Sequence, residues 1–192
     1  MQAIRLTLIC HARTLAQKLA RFPLDEPLEM DERTLRGARR LSMGAPTIVC
    51  GPELRTRQTA ELFNATTTIE PALRDCDFGR WNGLRINALQ RDEPQALQAW
   101  LADMSQAPHG GESVAQLCER VRQWLQSLEG QKGHVLAVTH PFVIRAALWQ
   151  VIQAPAEVFN LIDVEPLSAV ELRFNGRWRL RLSALDAEEQ TQ

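Results

Sequence analysis

Apolar residues fall in short blocks along this chain, and the spacing within the blocks switches between that of a strand and that of a helix. Ile4 to Cys10 (IRLTLIC) is a mostly apolar run, the pattern of a strand covered on both faces. Thr47 to Cys50 and His134 to Thr139, with Val135, Leu136, Ala137 and Val138 at its centre, repeat it, and Thr66 to Ile69 is a shorter candidate. Between them the period lengthens. Glu53 to Phe63, with Leu54, Ala60, Leu62 and Phe63, suggests a helix with an apolar face, and Ser113 to Leu128 carries Val114, Leu117, Val121 and Leu125 at helical spacing. Further helices are predicted over Asp31 to Leu41, where Asp31 is a capping residue and Gly44 and Pro46 close the segment, over Pro94 to Met104, and after Pro141. Val170 to Phe174 and Trp178 to Leu182 flank Asn175-Gly176, a hairpin signal.

Strands alternating with helices predict a three-layer α/β sandwich, a mainly parallel sheet with helices on both faces. In such a sheet, ligands bind outside the carboxyl ends of the strands. Three residues with useful chemistry fall at that edge: His11 just after the first strand, Arg55 in the first turns of a helix that follows a strand, and His140 at the end of the His134 to Thr139 run. Pro71 to Leu84, irregular and rich in Asp, Gly and Trp, reads as a functional loop.

Composition narrows the function more than it defines it. At 192 residues, one domain over residues 1–185 with a polar tail at 186–192 accounts for the chain. Lys and Arg total 22 against 23 Asp and Glu, which leaves no global field to gather nucleic acid or an anionic membrane, so any anion selectivity must be local. No apolar run approaches the roughly 20 residues of a membrane span. Met1 to Cys10 lacks the zones of a secretory leader, from which a cytoplasmic location is expected. Cys10, Cys50, Cys76 and Cys118 show no metal-ligand spacing and are expected as reduced thiols.

Two histidines and an arginine at strand ends suit phosphoryl transfer, because an imidazole attacks phosphorus while fixed cations spread the charge of the transferring group. The motifs around them carry a resemblance. LICHART (Leu8 to Thr14) resembles the L-I-R-H-G-E-T signature of the histidine phosphatase, or phosphoglycerate-mutase-like, superfamily. CGPELRTRQTAEL (Cys50 to Leu62) is similar to its S-S-x-L-x-R-A-x-Q-T-A segment, and LRDCDFGRWNGL (Leu73 to Leu84) to L-R-E-x-D-F-G-x-W-E-G-L. HGGES (His109 to Ser113) and VTHPFVIRAAL (Val138 to Leu148) resemble the remaining blocks, in the same order along nearly the whole chain.

The resemblance implies a phosphomonoester hydrolase in which His11 is phosphorylated, Asp75 donates the proton to the leaving oxygen, and Arg55 and His140 hold the phosphoryl oxygens. It implies no cofactor and no metal. Its partner would be a small phosphorylated substrate or free phosphate, and the shortness of the chain favours a phosphatase over a glycolytic mutase. The exposed late-strand edge near Val170 to Leu182 leaves a homodimer open.

The signature is altered at Cys10, Ala12 and Arg13, and Asp75 is one methylene shorter than the glutamate it aligns with. Cys10 stands where the signature has its first arginine, and Ala12 where it has glycine. Loss of one such charged contact costs roughly 3 to 4 kcal/mol in the transition state. Reduced turnover is therefore expected, and a pseudophosphatase, an anion-binding or regulatory module, is the alternative. Arg13 is a candidate to restore the missing charge at the phosphate; a solvated surface arginine is its plainer reading. Trp81 is a candidate for the pocket mouth, and Cys10 with Cys50, if their strands are neighbours, for a redox pair.

Overall fold

The computed structural model describes residues 4–29, 47–63 and 66–182. The helix expected over Asp31 to Leu41 lies outside these residues. Six strands form one sheet: β1 (Ile4–Cys10), β2 (Thr47–Cys50), β3 (Thr67–Ile69), β4 (Gly133–Thr139), β5 (Ala169–Phe174) and β6 (Trp178–Arg181), in the order β3-β2-β4-β1-β5-β6. The first four run parallel, with Cys10 opposite Thr139 and Cys50 opposite Val138. β5 turns antiparallel to β1, and β6 follows through a hairpin whose Gly176 takes φ +97°. The expectation of a mainly parallel α/β sheet thus holds, with an antiparallel pair at one edge.

β1 and β4 lie at the centre, buried on both faces, which is why their sequences are apolar without alternation. Six helices are seen among the described residues: α1 (Leu15–Lys18), α2 (Leu54–Glu61), α3 (Ile86–Asp92), α4 (Pro94–Ala102), α5 (Val114–Leu128) and α6 (Pro141–Ile152). Ser113 caps α5 through a reciprocal pair with Gln116, and Pro141 occupies the first turn of α6, where its missing N–H costs nothing. The expected loop from Pro71 to Leu84 contains two single 3-10 turns, Pro71–Leu73 and Gly79–Trp81. α3 is absent from the sequence expectations, and reasonably so: only Leu89 of it is buried, too little to leave a helical apolar stripe.

Each face of the sheet has its own core. The smaller one joins Ile9, Ile48, Cys50, Leu136 and Val138 to Ala60 of α2. The larger holds Leu6, Leu8 and Cys10 against α5, α6 and an aromatic cluster of Phe22, Phe78, Trp81 and Trp100. This division corrects the proposed redox pair. β4 is threaded between β1 and β2, so Cys10 and Cys50 are two interstrand spacings apart, roughly 9 to 10 Å, and they belong to opposite faces. A disulfide requires alpha carbons within about 7 Å. Trp81 is likewise corrected from pocket mouth to core: it is fully buried, its ring 5.6 Å from Phe22 and 5.8 Å from Trp100.

Candidate active site

Parallel strand ends bring His11, Arg55, Asp75 and His140 into one cluster. The backbone N–H of His11 donates to Thr139 O at 2.9 Å, which pins the turn after β1 to the end of β4. The His11 and His140 ring centroids are 5.2 Å apart, at 61°. His11 Nδ1 lies 2.7 Å from Ala12 O. A carbonyl only accepts, so Nδ1 carries the proton and Nε2 keeps its lone pair, the tautomer a nucleophile needs. Burial, followed by the charges of His140 and Arg55, lowers the imidazole to about 3, so the ring stays neutral at physiological pH.

Thr59 links the two sides of this turn. Its Oγ1 accepts from Ala12 N at 2.9 Å and donates to Arg55 O at 2.7 Å. Ala12 is buried but is not among the described residues with positive φ, so its methyl imposes no backbone strain. The buried Arg55 guanidinium donates to Leu24 O at 3.0 Å and to Asp75 Oδ2 at 2.7 Å. Burial alone would raise the Asp75 carboxyl. The charges of His140 and Arg55 and the bond from Arg55 outweigh it and hold Asp75 below the usual carboxylate range.

Asp75 sits on a loop that the HGGES block makes rigid. Arg120 donates to Ala72 O (2.6 Å), Arg74 O (3.1 Å) and Asp75 O (3.4 Å), while also gripping Glu112 with two bonds of 2.9 and 2.7 Å. Gly111 permits that approach: a Cβ there would lie 2.1 Å from Asp77 O. Residues 109–113 therefore shape the loop and cap α5, which is their contribution to the site.

Glu53 is the site residue the sequence reading passed over. It is the N-cap residue of α2, yet its side chain makes no capping bond; instead it accepts from Asp75 N at 2.9 Å and pairs with His140 Nε2 at 2.8 Å. Burial pushes Glu53 upward, but the hydrogen bond and charge of His140 and the bond from Asp75 N prevail, bringing it down to about 2. A signal was present: in the segment it resembles, this position is leucine. Gly51, in place of a serine of that segment, leaves the room, since a Cβ there would stand 3.0 Å from Glu53 Oε2 and 3.2 Å from His140 Nε2.

Cys10 is buried beside this cluster, and burial, then the Asp75 charge, pushes its thiol up, so it supplies no charge in either direction. Arg13 is exposed, and its guanidinium has no bond to another described residue. A cleft of about 370 Å³ opens over Glu53, Arg55 and Asp75, rimmed by Leu24, Asp25 and Arg74. A larger groove of about 540 Å³ lies at the opposite end of the sheet, between the β5–β6 hairpin, α5 and α6, and contains none of these groups.

A neutral imidazole beside a second histidine, a buried arginine and a carboxylate at the ends of parallel strands is an arrangement chemically suited to phosphoryl transfer. Consistent with it, residues 6–185 match the histidine phosphatase superfamily (branch 1), and the chain belongs to that family. Among curated proteins it is 29% identical over 147 residues to a bifunctional protein of Mycobacterium tuberculosis, covering 72% of this chain but 40% of that protein. To an acid phosphatase of the same organism it is 29% identical over 161 residues, 79% of this chain and 77% of the relative. A mycobacterial glucosyl-3-phosphoglycerate phosphatase, solved with inorganic phosphate, superposes with a TM-score of 0.75 at 25% identity, covering 93% of this chain and 95% of that one.

Proposed function

We propose that this protein is a phosphomonoester hydrolase working through a phosphohistidine on His11, at a rate reduced by Cys10. One observation carries the reading: Arg55 Nε and His140 Nδ1 are buried without a hydrogen-bond partner, in the cluster that holds His11 beside His140. Buried polar nitrogens rarely go unpaired, and two of them in the cluster that holds His11 are suited to the oxygens of a phosphoryl group.

His11 Nε2 attacks phosphorus, and the P–O bond to the leaving alcohol breaks as Asp75 gives that oxygen its proton. Water then attacks the phosphohistidine with Asp75 accepting its proton, and orthophosphate and neutral His11 are restored. Asp75 is held ionised by its pairing with Arg55, so it must be loaded first. A phosphate dianion that takes over the Arg55 contact removes that partner and places negative charge beside the carboxyl, and both effects raise its proton affinity. No cofactor has a role in this sequence of steps. Substrates in this reading are small phosphate monoesters.

The same ion pair favours a second reading. With Arg55 engaged by Asp75 and no charge at position 10, the site could serve as a weak anion-binding module without turnover. Incubation with a labelled aryl phosphate and acid-free trapping separates the two. Phosphohistidine in the wild type, absent in His11→Ala along with all hydrolysis, supports the enzyme; orthophosphate binding that needs Arg55 but gives neither covalent label nor turnover supports the module.

A further inference from the structure

Resting on the phosphatase reading, we propose that Glu53 is a positioning residue that keeps His140 a two-proton donor, so that its Nε2–H is spent on Glu53 while its Nδ1–H is directed at the phosphoryl group. This supplies near His11 a cation in place of the arginine that Cys10 lacks.

The argument begins with the hydrogen-bond inventory of an imidazole. A neutral ring has one donor and one acceptor, and only the imidazolium donates from both nitrogens. The two groups facing the His140 nitrogens are both carboxylates. Glu53 Oε2 lies 2.8 Å from Nε2, and Asp75 Oδ2 lies 3.4 Å from Nδ1, within ion-pair range but outside hydrogen-bond geometry. The bond to Glu53 takes a hydrogen on Nε2, and a carboxylate rather than a donor facing Nδ1 favours a hydrogen there as well. His11, from the end of β1, faces the ring at 5.2 Å, and Arg55 of α2 is bound to the same Asp75 oxygen that faces Nδ1. Burial of His140 opposes the charge, and a fixed carboxylate at bonding distance is what offsets that cost.

Glu53 is built to be such a fixed acceptor. Its second oxygen is held by Asp75 N at 2.9 Å, so the carboxylate is oriented by the same loop that carries the proton donor. Gly51 reserves the space it enters, because any side chain there would crowd both Glu53 Oε2 and His140 Nε2. The His140 ring, the positive member of the pair, stands 5.2 Å from the His11 ring, close enough to act on the same anion. This is the logic of a carboxylate that orients a metal-bound or catalytic histidine from behind.

Three variants separate charge from position. Glu53→Leu removes both contacts. Glu53→Gln keeps an oxygen for Asp75 N and turns an amide N–H toward His140 Nε2, which leaves Nδ1–H in place but strips the charge. Glu53→Asp shortens the arm and keeps the charge. In protein carrying ¹⁵N-histidine, the ring of His140 at neutral pH should show two protonated nitrogens in the wild type and one in Glu53→Gln and Glu53→Leu. Orthophosphate, measured by calorimetry, should bind about tenfold more weakly to both, as for one charge-assisted bond lost, with hydrolysis falling through kcat/KM and Glu53→Asp recovering part of each loss. A His140 ring that stays doubly protonated in both variants, with phosphate affinity within twofold of the wild type, overturns the proposal and leaves the phosphatase reading intact. A wild type that neither binds phosphate nor hydrolyses any monoester overturns both. Cooperative urea unfolding of Glu53→Gln confirms that its losses are not those of a misfolded chain.

Discussion

The two sides of the cleft have been treated in opposite ways. On the β2 and β4 side, charge is dense and interlocked: Arg55 with Asp75, Glu53 with His140, and Arg120 with Glu112 behind them. On the β1 side, Cys10 and Ala12 flank His11 with two small, uncharged, buried side chains. His11 is therefore positioned by hydrogen bonding and burial, through Ala12 O, Thr139 O and Thr59, while the charges that act on it come from His140, Arg55 and Asp75 on other segments. A site can keep the geometry of its chemistry while giving up one of the cations that make the chemistry fast.

Restoring charge to the depleted side should have the largest effect. Cys10→Arg is expected to raise kcat/KM for a small aryl phosphate roughly ten- to a thousandfold, since it returns one preorganised cation to the transition state. The gain must vanish in Cys10→Arg, His11→Ala. No change in a folded Cys10→Arg would mean that the two sides no longer address a common ligand.

Acid should expose the charged side next. The unfolded chain takes up a proton at His11 near the ordinary 6.5, whereas the folded ring resists it to about 3. That difference removes stability as pH falls through this window. Glu53, depressed from 4.5 to about 2, acts in the same direction: its contribution is present above about 4.5 and lost as pH falls toward 2. The urea midpoint should decline steadily below pH 6.5, and His11→Gln should flatten the decline between about 6.5 and 4.5. An unchanged slope in that variant would assign the acid sensitivity to other groups.

The smallest effect is expected at Ala12. Its backbone is outside the left-handed region, so Ala12→Gly relieves nothing and should change kcat/KM less than about twofold, alone or beside Cys10→Arg. A large rescue by glycine would show that the methyl obstructs substrate directly.

Much of this was legible in the sequence, and the misses have physical causes. β1 and β4 declared themselves because a strand buried on both faces has to be apolar throughout, and that run also fixed where His11 and His140 emerge. Strand order is not written in local pattern: the segment that separates Cys10 from Cys50 enters the sheet only at β4, far later in the chain. Trp81 was ambiguous for another reason, since an indole in an irregular loop can fill a core or line a cleft, and only the surrounding rings decide. Glu53 was hidden by the commonest explanation available to it, an acidic residue at a helix N-terminus favoured by the helix dipole. Its actual partners arrive from two distant segments.

The aromatic cluster behind the site gives the molecule an optical consequence. The chain has five tryptophans and no tyrosine, so its near-ultraviolet absorption and emission belong almost wholly to indole. Trp81 and Trp100 meet nearly edge to face, at 5.8 Å and 87°, and Phe142, two residues after His140, stacks on Trp100 at 5.8 Å. Two indoles locked this close in a chiral arrangement produce a strong near-ultraviolet circular dichroism signal that vanishes when either moves. Any rearrangement of α6 that accompanies ligand entry would pass through Phe142 to that pair, so the protein carries its own label for motion at the cleft.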